Sequence, residues 1–119
     1  MATGKALKEA GLDYVDISSG NITPDSRLGS TPGYNVPFAE RVRRECGLPT
    51  RVVGMIVSAK QAEEIVADGK ADMVALGRAF LDDPHWAWHA AQTLGADVPR
   101  PPQYARSAPK LWPGAALRA

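Results

Sequence analysis

The chain has 119 residues and a formal net charge of +1, with 45% hydrophobic and 23% charged residues. These are ordinary values for a globular chain of one domain. A near-neutral charge excludes a dominant polyanion field, and no nucleic-acid partner is expected. No apolar run approaches the roughly 20 residues that span a bilayer, so no membrane partner is expected, and no signal-peptide pattern follows Met1. The single cysteine, Cys46, excludes an intramolecular disulfide framework and a multi-cysteine metal site. A reducing cytoplasm is the expected compartment.

Residues 5–10 read as a short helical piece stopped by Gly11. A strand is predicted over about 13–18, ending at Ser18-Ser19-Gly20. Residues 20–35 are rich in Gly, Pro, Ser, Thr and Asn and predict a long loop. A helix follows from about Pro37 to Cys46. Pro37 fits its first turn, and Phe38, Val42 and Cys46 recur at i, i+4 and i+8 as one apolar stripe. Cys46 is therefore expected in the core. Gly47 and Pro49 end this helix.

A second strand is predicted over 51–57. Its continuous apolar character suits a parallel strand covered on both faces. Ser58-Ala59-Lys60-Gln61 has the capping-box form, with Gln61 placed to reach back to the Ser58 amide. The helix it opens is expected to bury Ala62, Ile65 and Val66. A third strand is predicted over 71–76 and runs into Gly77-Arg78. Asp83 is expected to cap a further helix with Pro84 in its first turn, on which Trp86, Ala90 and Leu94 share one face and Trp86 packs. Trp88 is expected to cover a neighbouring element. Residues 99–119 are Pro-rich and predict an extended tail.

Three strand–helix repeats predict an α/β fold with a parallel sheet and right-handed crossovers. Three parallel strands make a poor stand-alone sheet, because both edges are bare. The pattern reads as a piece of a larger fold, over residues 1–98, followed by the tail.

Two places point to chemistry. Gly54-Met55 follows the second strand and Gly77-Arg78 the third. Ligands of α/β folds sit beyond the carboxyl ends of parallel strands. Glycine lets a ligand approach the backbone, and arginine matches a phosphate with a fork of donors. The competing reading is two tight turns and a surface arginine. His85 and His89 share a helix face, but no third ligand completes a metal site, so they read as structural. Ser18-Ser19-Gly20 lacks the G-x-S-x-G spacing of a nucleophile elbow.

Asp13-Tyr14-Val15-Asp16-Ile17-Ser18-Ser19-Gly20 and Pro32-Gly33-Tyr34-Asn35-Val36-Pro37-Phe38-Ala39-Glu40 resemble the old yellow enzyme family. The resemblance is to its thermophilic-like class, with xenobiotic reductases and bacterial NADPH dehydrogenases. Val53-Gly54-Met55-Ile56, Leu76-Gly77-Arg78-Ala79-Phe80-Leu81-Asp82-Asp83-Pro84 and Pro102-Gln103-Tyr104-Ala105-Arg106 continue it in order. The resemblance implies the last three β/α units of a (β/α)8 TIM barrel, incomplete alone. A split or circularly permuted barrel completed by a second chain with the N-terminal strands is the expectation, with a fragment of a full enzyme or an engineered subdomain as the alternatives. It implies FMN as cofactor and NAD(P)H as reductant, with activated alkenes as substrates. By the same resemblance Gly54, Met55, Gly77 and Arg78 hold the FMN phosphate, and Arg106 reaches the active site of an adjacent protomer in an oligomer of barrels. The family's substrate-anchoring pair and proton-donating tyrosine have no counterpart here, so no catalytic residue is expected on this chain. The competing functional reading is a non-catalytic phosphate-binding half-barrel that homo-oligomerises.

Overall fold

A computed structural model of the chain describes residues 1–20, 22–25 and 29–117. Residues 21 and 26–28 of the predicted loop, and 118–119 of the tail, lie outside the described residues. The elements in chain order are α1 (Ala2–Glu9), β1 (Val15–Ile17), α2 (Val36–Cys46), β2 (Thr50–Val53), α3 (Ala59–Ala67), β3 (Met73–Ala75), α4 (Arg78–Asp82) and α5 (Trp86–Thr93). The strands form one parallel sheet in the order β1-β2-β3. The fold is thus α/β, with α2 and α3 as the crossovers.

The register sorts the strand residues by face. Ile17 pairs with Val52, and Val52 with Val74. This row meets Ala39, Ile56, Ala62, Ile65 and Ala71 in the core, with Val36, Leu76 and Trp86 packed against it. One residue earlier, Asp16 pairs with Arg51, and Arg51 with Met73. Alternation along a strand sends this second row to the opposite face. The Asp16 carboxylate accepts from Arg51 Nε at 3.1 Å, with both side chains about 40% exposed, and the Arg51 guanidinium lies over the Tyr14 ring. One face of the sheet is therefore apolar and covered by helices, and the other carries charge and stands open.

α2 differs from its predicted stripe. Phe38 is 57% exposed, and the inward line runs through Asn35, Ala39, Val42 and Cys46. The i, i+4, i+7, i+11 spacing follows the 3.6-residue turn, and the close helix–sheet approach suits alanine rather than phenylalanine at its centre. Cys46 is buried, as its place in the stripe predicts. Gly47, at φ 61°, closes the helix in the left-handed region. In α3, Val66 is 41% exposed, and Ala59 joins Ala62 and Ile65 on the buried face.

β2 stops at Val53, not at 57, because Gly54 and Met55 leave extended geometry with φ of 131° and 51°. The other strands are also shorter than predicted. α4 has no signature in the sequence, because five residues with Leu81 exposed give no apolar stripe. Asp83 does not cap α5 as a side-chain N-cap. His85 holds that position, and Asp83 accepts from the His85 amide at 3.0 Å. Ala90 and Ala91 are the buried residues of α5, while Leu94 is exposed.

The C-terminal segment is not simply extended. It forms two 3-10 helices, Pro102–Ser107 and Pro113–Leu117. Ala115 is buried, and Gln92 donates to its carbonyl at 3.2 Å. Tyr104 packs against His85 and Trp88, and Arg100 lies over the Trp88 ring. Trp88 thus covers this segment. Trp86 reaches the other way, donating from Nε1 to the Val57 carbonyl at 2.7 Å. His89 contacts Asp83 through Nδ1 at 2.5 Å, so both histidines have structural partners.

At the other end of the sheet, Asp72 precedes β3. It accepts from the Thr50 amide at 2.9 Å and from Arg43 Nε at 3.0 Å to each carboxylate oxygen. This ties α2 to the starts of β2 and β3. Partial burial raises the Asp72 pKa, but the bonds from Thr50 and Arg43 outweigh it and hold the carboxyl below the usual aspartate range.

Among the described residues, no helix is long and apolar enough to cross a membrane.

Candidate functional site

Beyond the carboxyl ends of β2 and β3 lies a cleft of about 340 Å3. Val53, Gly54, Met55, Ile56 and Val57 form one wall, and Ala75, Leu76, Gly77, Arg78 and Ala79 the other, with Tyr34 between. Adjacent parallel strands place their exits side by side, so the two glycine motifs, far apart in sequence, line one space.

The two glycines are required for different reasons. At Gly54 the backbone has φ 131°, a region that side chains disfavour strongly. A Cβ there would also stand 2.8 Å from Tyr34 Cε1 and 3.0 Å from Asn35 Nδ2. Gly54 is thus imposed by the fold. At Gly77, φ is −92°, outside the left-handed region, and a Cβ would meet no atom of the described residues within 4 Å. No contact among the described residues demands glycine there. Open space beside the backbone is what a close ligand needs. Arg78 begins α4, is exposed and has no ion pair among the described residues. An anion beside Gly77-Arg78 would meet the exposed Arg78 guanidinium, a planar fork of charged donors.

The cleft wall is held from beneath by Asn35, to which sequence patterning assigned no role, and by Gln61, for which it assigned a different partner. Asn35, fully buried, donates from Nδ2 to the Val53 carbonyl at 2.7 Å and accepts from Ser19 Oγ at 2.6 Å. It thereby joins the end of β1 to the end of β2. Gln61 does not reach back to the Ser58 amide. Its Oε1 accepts from the Val57 amide at 3.0 Å, and its Nε2 donates to the Met55 carbonyl at 2.9 Å. Ser58 Oγ does accept from the Gln61 amide at 3.2 Å, as a helix N-cap. A capping-box spacing marks Gln61 as reaching back, but only the bend at Gly54-Met55 decides which amide it finds.

Arg106 lies on the first 3-10 helix, exposed, and does not line the cleft. A second hollow, of about 210 Å3, is lined by Asp83, His85, Trp88, His89, Arg100, Tyr104 and Ser107, residues that largely pair with one another.

Residues 2–97 match the sequence profile of the NADH:flavin oxidoreductase / NADH oxidase family. The chain belongs to this family. It is the old yellow enzyme family that the motifs resemble, and membership implies FMN as cofactor with NAD(P)H as reductant. The chain is similar to the NADPH dehydrogenase of Geobacillus thermodenitrificans (strain NG80-2), with 51% identity over 102 residues, covering 86% of this chain and 30% of the relative. It is 46% identical to the NADPH dehydrogenase of Geobacillus sp. (strain WCH70) over 102 residues, with the same coverage. It is 42% identical to that of Bacillus subtilis (strain 168), again over 86% of this chain and 30% of the relative. The chain therefore spans about 30% of the length of the curated relatives it matches.

The residues present fit the phosphate end of FMN. The position beside Gly77 is open, and Arg78 has no ion pair among the described residues, so the cleft offers an anion both space and charge.

Proposed function

We propose that this chain is the FMN-phosphate-binding portion of an old yellow enzyme-like ene-reductase. It comprises the last three β/α units of a TIM barrel and works with the N-terminal units, supplied by a second chain. The observation that carries this reading is the single cleft lined by Gly54, Met55, Gly77 and Arg78. Bound FMN supplies hydride transfer from NAD(P)H to an activated C=C bond.

This chain's own residues bind and orient. Gly77 lets the phosphate approach the backbone, and Arg78 offers it charge and a fork of donors. Gly54 and Met55 form the facing wall. None of these residues moves a proton, and the chain contributes no catalytic residue to the reading.

Two features support an incomplete barrel. The Cα radius of gyration is 17.1 Å, against roughly 13.5 Å for a compact domain of this length. The Asp16–Arg51–Met73 row stands open, as an interior barrel layer does before the barrel closes. Arg106, exposed on the C-terminal segment, is available to an adjacent protomer in an oligomer of barrels.

Native mass spectrometry under conditions that retain cofactor tests the reading. The expected mass is this chain plus a larger second chain plus FMN, with alkene reduction in the assembled form. Arg78→Ala is expected to lose FMN. A simple multiple of this chain without FMN overturns the reading in favour of a non-catalytic half-barrel that self-associates.

A further inference from the structure

Met55 is the only non-glycine residue with positive φ among the described residues, at 51°. That conformation costs roughly 1–3 kcal/mol and persists only where its surroundings over-determine it. The Met55 side chain does not supply the constraint, since it is 39% exposed. The constraint is at its carbonyl, which accepts from Gln61 Nε2 at 2.9 Å and from the Gly33 amide at 3.2 Å. Two residues on, the Val57 amide donates to Gln61 Oε1 at 3.0 Å. One side-chain amide therefore grips the main chain on both sides of Ile56, which is itself buried in the core. The two partners also fix which way the amide points, because a carbonyl needs a donor and an N–H an acceptor.

We propose that Gln61 is a positioning residue for the phosphate cradle: from α3 it holds Met55 in the left-handed region, so that the Gly54–Val57 turn keeps the shape that faces Gly77 and Arg78 across the cleft. The consequence for FMN rests on the function proposed above; the hold on Met55 does not. Glutamine is specific to this task. Glutamate keeps the acceptor for Val57 but sets a carboxylate against the Met55 carbonyl. Alanine removes both bonds.

The ligand-free protein is examined first, by NMR. In Gln61→Ala the Met55 coupling constant and Cα shift are expected to lose their positive-φ signature, and exchange of the Val57 amide to accelerate about tenfold, the loss of one hydrogen bond. Gln61→Glu should keep Val57 protected while Met55 loses the signature, which also guards against simple misfolding. An unchanged Met55 signature in both variants overturns the proposal. FMN titration by flavin fluorescence follows, with about tenfold weaker binding expected in Gln61→Ala. A lost signature with unchanged FMN affinity overturns the role in the cradle. If the unsubstituted protein, in its native assembly, neither binds FMN nor shifts its Gly54 and Gly77 resonances with inorganic phosphate, the phosphate reading fails, while the Met55 signature still decides the hold by Gln61.

Discussion

The side-chain amide of Asn35 donates to the carbonyl of Val53, 2.7 Å away, at the last residue of β2. This bond sits directly before the Gly54 turn and, with the bond from Ser19, makes Asn35 the joint between two strand exits. Asn35→Ala leaves the half-buried Val53 carbonyl without that partner and empties the fully buried place that the Asn35 amide fills. The expected loss is about 1–3 kcal/mol, read as a lower urea midpoint with an unchanged slope.

Gly54→Ala is expected to destabilise through two separable causes. One is the φ of 131°, and the other is the approach to the Tyr34 ring. Together they should cost about 2–4 kcal/mol. Adding Tyr34→Ala removes the clash but not the backbone cost, so the double variant should recover only part of the loss. Full recovery in a double-mutant cycle would contradict the backbone argument.

Gly77→Ala should behave in the opposite way. Its φ lies outside the left-handed region and a Cβ meets no atom of the described residues, so stability should change by less than about 0.5 kcal/mol. Flavin retention should nonetheless fall about tenfold or more, because the methyl occupies ligand space. Thermal melting and flavin titration of the same preparation separate the two effects. A methyl tolerated in both assays removes Gly77 from the site.

Asp72 links stability to pH. Its pKa is held below the ordinary aspartate value in the folded chain, where the bonds from Thr50 and Arg43 outweigh partial burial. The unfolded chain therefore binds the proton more readily. The stabilisation is fully present above the unfolded pKa of about 4 and is lost as pH falls through the folded value. Denaturation midpoints from pH 7 down to 3 should show this fall, and Asp72→Asn should show less of it. Identical slopes in the two proteins would remove Asp72 as the cause.

Thr50 is buried, and its Oγ1 has no hydrogen-bond partner among the described residues. The hydroxyl is thus desolvated without compensation. Thr50→Val keeps the shape and removes the polar atom, so it should stabilise by about 1 kcal/mol. A lower melting temperature in this variant would show that the hydroxyl is satisfied.

Alternation of short apolar runs with amphipathic segments determined by itself that this is a parallel α/β fold. The ordered motifs determined its family. Both are local properties: strand character, helix stops and glycine-arginine pairs are written in contiguous residues. The tertiary structure alone decided that Asn35 rather than Phe38 faces the sheet, since that depends on how closely α2 approaches β2. It alone decided that Gln61 grips Met55 and Val57, since the bend at Gly54 moves the amides within reach. It also distinguished Gly54 from Gly77. In sequence they are two similar glycines, but one is fixed by a tyrosine twenty residues earlier, and the other by no contact among the described residues. Contacts between residues distant in sequence, and empty space, have no local signature.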